Sequence, residues 1–355
     1  MRAKLKNGIA LSFILQIILV KWFGSYPHLV EKYYSEGMYP VISRFLRILN
    51  GWVPFSVGDI LYATAGFLAI RYLYKNWRKI RLKPLLFLRD LMVVLSIVYF
   101  VFHLFWGLNY YRLPIQEKMG FTATYSKEEL ISFSAKLIKI NNSIHLTLSQ
   151  NIEQPINIPY TTKTIYKKTI QGYELASGFV PELTYKNPSL KSSLFSLPLT
   201  YMGYGGYLNP FTNEAQVNSV VPILRLPTIS GHEVGHQIGY SSESATNFIG
   251  FLITANNEDP YFRYAARSHA LAYCLSELRK VDKDAFELLY ADVNNGIKKN
   301  YQELEQFWAN YENPTEPIFK SIFNTFLKAN NQTEGIQSYN RVVGLLIGYD
   351  RTYGF

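Results

Sequence analysis

The chain has 355 residues, room for one or two domains, and 48% of them are apolar, which excludes a disordered protein. A formal charge of +10 would suggest nucleic acid if it lay on a folded domain, but residues 1–111 carry 14 Lys or Arg against 4 Asp or Glu, whereas the remainder carries 22 against 22. The basicity belongs to the first third, so nucleic-acid binding is not expected, and with Cys274 the sole cysteine neither an intramolecular disulfide nor a thiol metal cluster can form.

Three apolar stretches lie in the first third, at about residues 9–23, 57–74 and 88–108, each near the roughly 20 residues a helix needs to cross the hydrocarbon core. The first is short and contains Gln16. Arg2, Lys4 and Lys6 precede it, and Arg71, Lys75, Arg78, Lys79, Arg81 and Lys83 crowd the connection between the second and third. Positively charged loops stay in the cytoplasm, which puts residues 24–55 and everything after Tyr111 outside. Lys21-Trp22-Phe23 follows Val20 where a cleavable signal would show small residues, so an uncleaved anchor is expected. The chain thus divides into a three-helix membrane anchor, residues 1–111, and an extracytoplasmic domain, residues 112–355. His103, near the end of the third stretch, fits an interfacial position, and His28 and His145 have no partner at ligand spacing.

Ser126 followed by Glu129 forms a capping box that opens a helix running to about Ser149. A second helix is expected over Thr164 to Phe179, stopped by Pro181. Leu197 to Val221 is rich in Gly, Tyr, Asn and Val and favours short strands and turns. After Gly231 the pattern is helical, with segments expected at 231–239, 242–255, 260–279, 283–310, 316–329 and 336–349. A small sheet followed by helices gives an α+β domain, mainly helical.

The chemistry concentrates in His232-Glu233-Val234-Gly235-His236. Residues four apart share one helix face, so His232 and His236 can aim two imidazoles at one metal ion while Glu233 reaches a water on that metal as general base. Residues 229–238 contain no other acid, no Lys or Arg and no proline, as a buried active-site helix requires. Gly231 and Gly235 weaken that helix, and close approach of a strand or substrate would explain them. A tetrahedral zinc site needs a third protein ligand. Gly239 ends the motif helix and Ser241 or Ser242 caps the next, which puts Glu243 in its first turn as the favoured ligand; Glu258, farther along, is the second candidate.

The motif followed by Glu243-Ser244-Ala245-Thr246-Asn247 resembles the gluzincin branch of zinc metallopeptidases. The chain more closely resembles an uncharacterised bacterial family of membrane proteins with peptidase-like HExxH helices, a domain of unknown function. Four segments carry that likeness: Trp106-Gly107-Leu108-Asn109-Tyr110-Tyr111-Arg112, Asn209-Pro210-Phe211-Thr212-Asn213-Glu214-Ala215, the HEVGHQ helix, and Ser338-Tyr339-Asn340-Arg341-Val342-Val343. The resemblance implies a zincin-like domain with Zn2+ as cofactor and a place in the bacterial cytoplasmic membrane. It names no substrate. Thr246 and Asn247 stand where gluzincins commonly have Ala and often Asp.

An edge strand upstream of the motif would pair with an extended polypeptide substrate, and Ala215 to Val221 is the natural run for it. The oxyanion donor would come from His269, Tyr264 or Tyr339, of which His269 departs from what the resemblance suggests. The expected activity is hydrolysis of peptide bonds in envelope or secreted polypeptides, with the lipid bilayer as the other partner. The alternative is a catalytically silent, zinc-stabilised scaffold, against which Glu233 speaks, because a structural zinc has no use for an acid beside its first ligand. A protease with its motif inside a span is excluded by Pro222, Arg225 and Pro227 before the motif and Ser241, Ser242 and Glu243 after it.

Overall fold

Local capping chemistry sets several helix starts. In the computed structural model, which describes residues 3–332 and 339–354, Ser126 accepts from the Glu129 backbone N–H while the Glu129 carboxylate accepts from that of Ser126, and helix Lys127–Ser149 begins there. Thr161 starts helix Thr162–Ala176, two residues before the expected point, and Asp259 starts Pro260–Val281. The helix expected over 283–310 is two, Lys283–Ala291 and Asn295–Ala309, because Asn294 opens a new helix. Glu316–Ala329 forms as expected, and the last helix is Tyr339–Tyr353; residues 336–338 lie outside the described residues.

The molecule is mainly helical, with one small mixed sheet. Its strands are β1 (Leu190–Ser192), β2 (Gly206–Asn209) and β3 (Glu214–Val217), in the order β1-β3-β2. β3 runs parallel to β1, with Leu190 opposite Ala215, and antiparallel to β2, with Gly206 opposite Val217. The expected edge strand, Ala215 to Val221, is therefore central and ends at Val217; β2 is an edge instead. β1 escapes notice in the sequence because its three residues are too few to show alternation.

The motif helix, Leu226–Gln237, begins five residues earlier than expected, with Pro227 in its first turn where the missing N–H does no harm. It lies against the following helix, Glu243–Ala255. A Cβ on Gly231 would come within 3.0 Å of the Gly250 Cα, and one on Gly250 within 2.7 Å of the Thr228 carbonyl oxygen. Helix against helix, not strand or substrate, accounts for Gly231; Gly235 likewise faces Thr246.

Residues 24–55 carry an unexpected helical run of Pro27–Leu29, a π-helical Val30–Met38, and Tyr39–Asn50. Tyr39, Ser43, Leu46 and Arg47 form the buried face of its last part. The apolar stripe that helical spacing gives this segment, Val41, Phe45 and Ile48, lies instead on its exposed side.

Two helices, Ala3–Gly24 and Pro84–Phe105, are long and apolar enough to cross a membrane, and they pack together, with Lys6 paired to Asp90 at 2.8 Å. Helix Val57–Leu82 forms where a third span is expected, but it falls short of the same apolarity, with Asp59 and Arg71 inside its apolar part. Asp59 is wholly buried, accepting from Ser193 Oγ, Leu194 N and the Tyr207 hydroxyl. The division expected at residue 111 is not a gap in packing: Trp106, Tyr110 and Tyr111 share a core with Val30, Tyr34, Tyr39 and Leu327.

Gly250→Ala is expected to destabilise the fold by about 1–3 kcal/mol, because a backbone carbonyl cannot yield to the added methyl without parting two helices. Thermal unfolding of the detergent-solubilised variant measures it, and an unchanged midpoint would show that the crossing is looser than these distances.

Candidate metal centre

The end of the motif helix is where the site is held. Gly239, with φ of +100°, turns the chain out of the helix, and a side chain there would strike the Tyr39 ring. Helix ends leave carbonyls without intrahelical partners, and this end is buried. Trp106 Nε1 donates to the His236 carbonyl at 3.0 Å, the Tyr39 hydroxyl to that of Gln237 at 2.7 Å, and Arg112 to that of Gly239 at 2.9 Å. Arg47 also reaches the Gln237 carbonyl, at 3.3 Å. Farther up, the Tyr173 hydroxyl donates to Gly231 O at 2.6 Å.

The two imidazoles are oriented from behind. His232 Nδ1 is 2.9 Å from Asn247 Oδ1, and His236 Nδ1 is 2.7 Å from the Tyr240 carbonyl oxygen. Both partners accept, so each Nδ1 carries the proton and each Nε2 presents a lone pair forward. Asn247, although it stands where an Asp is often found in gluzincins, supplies the same accepting oxygen.

Facing those lone pairs is the Glu243 carboxylate, 3.3 Å from His232 Nε2 and 3.6 Å from His236 Nε2. Charged imidazoles donating to it would close to about 2.7–2.9 Å. Ligand atoms bound tetrahedrally at about 2.0–2.1 Å from one metal stand roughly 3.3–3.4 Å apart, which these separations resemble. Burial raises the Glu243 pKa, and only when the two imidazoles are protonated and donate from Nε2 do they outweigh it and hold the group well below the carboxylate range.

His232, Glu233 and His236 also lie within 4.8 Å of one another, so by distance alone Glu233 could ligate. Glu243 is the carboxylate that stands near both Nε2 atoms, as a shared third ligand would. That leaves Glu233 beside the cluster with Oε2 buried and without a hydrogen-bond partner. Its pKa is pushed up to about 7 by burial, with the Glu243 charge adding to the rise and the two imidazoles opposing it. Gly206, at the start of β2, makes room for it: a Cβ there would come within 2.6 Å of Glu233 Oε1. The donor set, two neutral imidazoles and one carboxylate with a free acid alongside, suits a zinc ion.

The remaining sequence candidates separate. Glu258 is exposed, beyond the far end of helix Glu243–Ala255, and does not approach the cluster. Tyr264 is wholly buried and donates to Asn300 Oδ1 at 2.8 Å, so it serves the core and not the site. His269 stands near His232 and Arg225, its ring 4.4 Å from that of Tyr273, and burial with those two neighbours drives its pKa well below the usual histidine value. The side chain of Tyr339 lies outside the described residues. His145 is buried and bonded to Gln154 O and Asn294, His103 is buried against Tyr99 and Phe102 near the end of helix Pro84–Phe105, and His28 is exposed. Tyr110, Tyr204 and Tyr273, none of them predicted, lie close enough to feel the Glu243 charge. Of these only Tyr110 stood in a segment that the sequence singled out.

Residues 34–347 match a family described as protein of unknown function (DUF3810), and the chain belongs to that family. No curated protein and no solved structure matches it. The matched span takes in both the helices of the first third and the candidate centre.

Arg112 is the support most open to test, since its guanidinium forks onto Glu31 while holding Gly239 O, and the pair is nearly buried. Arg112→Met should lower unfolding stability by about 3 kcal/mol, because Glu31 would keep only Lys118 as a charged partner. Denaturant titration checks this, and a loss below about 1 kcal/mol would mean that the contact is incidental.

Proposed function

We propose that this chain is a membrane-anchored, zinc-dependent metallopeptidase of gluzincin type, with His232, His236 and Glu243 as zinc ligands and Glu233 as general base. The observation that carries the proposal is the spacing of Glu243 from both Nε2 atoms, 3.3 and 3.6 Å, with an unpartnered Glu233 oxygen beside them. A zinc ion bound there supplies a Lewis acid that polarises a carbonyl and lowers the pKa of a water.

The rest is done by side chains. Glu233, with its proton affinity near neutrality, takes a proton from the attacking water and passes it to the leaving amine. Asn247 and the Tyr240 carbonyl hold the imidazoles in one tautomer and one orientation throughout. His269, kept neutral by burial and by Arg225, retains a ring N–H that can donate to the developing oxyanion. β2 is an edge strand that begins at Gly206, against Glu233, and its backbone offers an extended polypeptide the hydrogen bonds of strand addition. That geometry favours peptides over compact small substrates. The apolar helices Ala3–Gly24 and Pro84–Phe105 support membrane anchoring, and the basic residues 71–83, at the end of helix Val57–Leu82 and just before Pro84–Phe105, support a site outside the cytoplasm of a bacterial cell.

Glu233→Gln should reduce cleavage of a peptide library by about 10²–10⁴-fold while leaving bound zinc unchanged, since it removes the base and no ligand. Equal turnover by variant and parent would refute the mechanism. Paired metal titrations address the third ligand. Glu243→Ala should weaken zinc binding by more than the roughly 100-fold that losing a hydrogen-bond partner of a ligand brings, with Glu258→Ala near parental. The reverse ranking would reassign the site.

A further inference from the structure

Arg47 is 6% exposed, and among the described residues no carboxylate lies within ion-pair distance of it. Its Nε donates to Lys186 O and one terminal nitrogen to Asn213 Oδ1 and Gln237 O, all neutral acceptors. A buried charge without a counter-ion is expensive, and the neighbouring Arg44 adds like charge instead of relieving it. Arg47 lines a cavity of about 760 Å³ together with Arg44 and Lys186, both exposed and neither in an ion pair. Of the other cations there, Arg112 and Lys118 are taken up by Glu31 and Glu36, so Glu182 is the one acid left against three cations.

The same cavity is lined by Val41, Phe45 and Ile48, exposed by 69%, 58% and 51% on helix Tyr39–Asn50, and Leu49, Trp52 and Phe55 continue the exposed apolar surface. This surface lies between the apolar helix Ala3–Gly24 and helix Val57–Leu82 in the chain, where the membrane reading puts the outer interface. One buried cation flanked by two exposed ones, in a cavity that also has an apolar lining, fits a ligand that is anionic at one end and apolar at the other.

We propose that this cavity binds the headgroup of an anionic phospholipid, its phosphate serving as the counter-ion of Arg47 with Arg44 and Lys186, and its acyl chains running over Val41, Phe45 and Ile48. The volume suits a headgroup with its glycerol, and the charge suits one net negative lipid. Arg47 also holds Gln237 O at the end of the motif helix, so a bound lipid would steady a residue that supports the candidate centre. The proposal rests on the membrane placement above but not on hydrolysis or zinc.

The full chain in mild neutral detergent is titrated with short-chain phosphatidylglycerol, phosphatidylcholine or inorganic phosphate, and the unfolding midpoint is followed. Phosphatidylglycerol should raise the midpoint in a saturable way, with little effect of the other two. Arg44→Ala combined with Lys186→Ala should weaken the phosphatidylglycerol response about tenfold or more, since both side chains are exposed and their loss leaves the core intact. Lys298→Ala, remote from the cavity, should not. Equal responses to the two lipids, a full response to phosphate alone, or parental binding by the double variant would each overturn the proposal. Sedimentation of the parental chain with salt-washed membranes separates the two readings. A chain that stays membrane-bound without lipid preference refutes this inference alone, whereas one that washes off refutes the membrane reading and this inference with it.

Discussion

The buried C-terminal end of the motif helix is the constraint on which most of the structure turns. A helix cannot satisfy its own last carbonyls, and each one buried without a donor costs about 1–3 kcal/mol. Here the backbone N–H groups of Ile238, Tyr240 and Gly239 meet the Val234, Gly235 and His236 carbonyls locally, whereas Tyr39 and Arg47 meet that of Gln237, Arg112 meets that of Gly239 and Trp106 adds to that of His236, all from more than a hundred residues earlier in the chain. The first third of the chain is thus part of the centre's scaffold as well as its candidate anchor. The two upstream segments that carry the family likeness, Trp106 to Arg112 and Asn209 to Ala215, have a physical role here. The first supplies two of the donors, and Asn213 in the second bonds both Arg47 and Tyr39.

The buried charges follow one rule with two exceptions. Glu31 is shared by Arg112 and Lys118, Glu214 is met by Lys191 and by the backbone N–H groups of Val57 and Gly58, and Asp59 is satisfied by three donors. Those groups hold elements together, as paired buried ions do. The exceptions are Glu233, with an oxygen that no donor reaches, and Arg47, with no anion. Both line spaces large enough for a ligand or beside candidate ligand atoms. Unmet polarity is tolerated where something else completes it.

What the sequence revealed was local. The i, i+4 histidines, the capping box at Ser126, and Glu243 one short turn past Gly239 are all fixed by backbone geometry within a few residues, and the structure gathers His232, Glu233, His236 and Glu243 as that spacing suggests. What it hid was set by distant partners. Tyr264 and His269 sit five residues apart on one helix, yet one bonds to Asn300 in the core and the other faces the cluster, a choice made by packing that no spacing reports. The order β1-β3-β2, which makes β2 and not β3 an edge, depends likewise on a parallel pairing across more than twenty residues. The helix Tyr39–Asn50 carries a legible apolar stripe, Val41, Phe45 and Ile48, but that stripe is exposed and the buried face carries Ser43 and Arg47, so the sequence pattern points to the wrong packing face.

That inverted helix and the edge strand are joined through the base of helix Val57–Leu82. Glu214, next to the turn after β2, accepts from Val57 N and Gly58 N and so caps the positive end of that helix. Tyr207 of β2 donates its hydroxyl to Asp59, the next residue, and its ring stacks on Tyr62 one turn further on. The strand that begins against Glu233 is thereby fixed to the first turns of a helix whose remaining length is exposed and largely apolar to Leu73. At 1.5 Å per residue, Asp59 and Tyr62 are separated by only about 5 Å of helix. On the proposed reading, a substrate strand added to β2 would lie within a few turns of the bilayer surface at a height set by buried hydrogen bonds and not by a flexible linker.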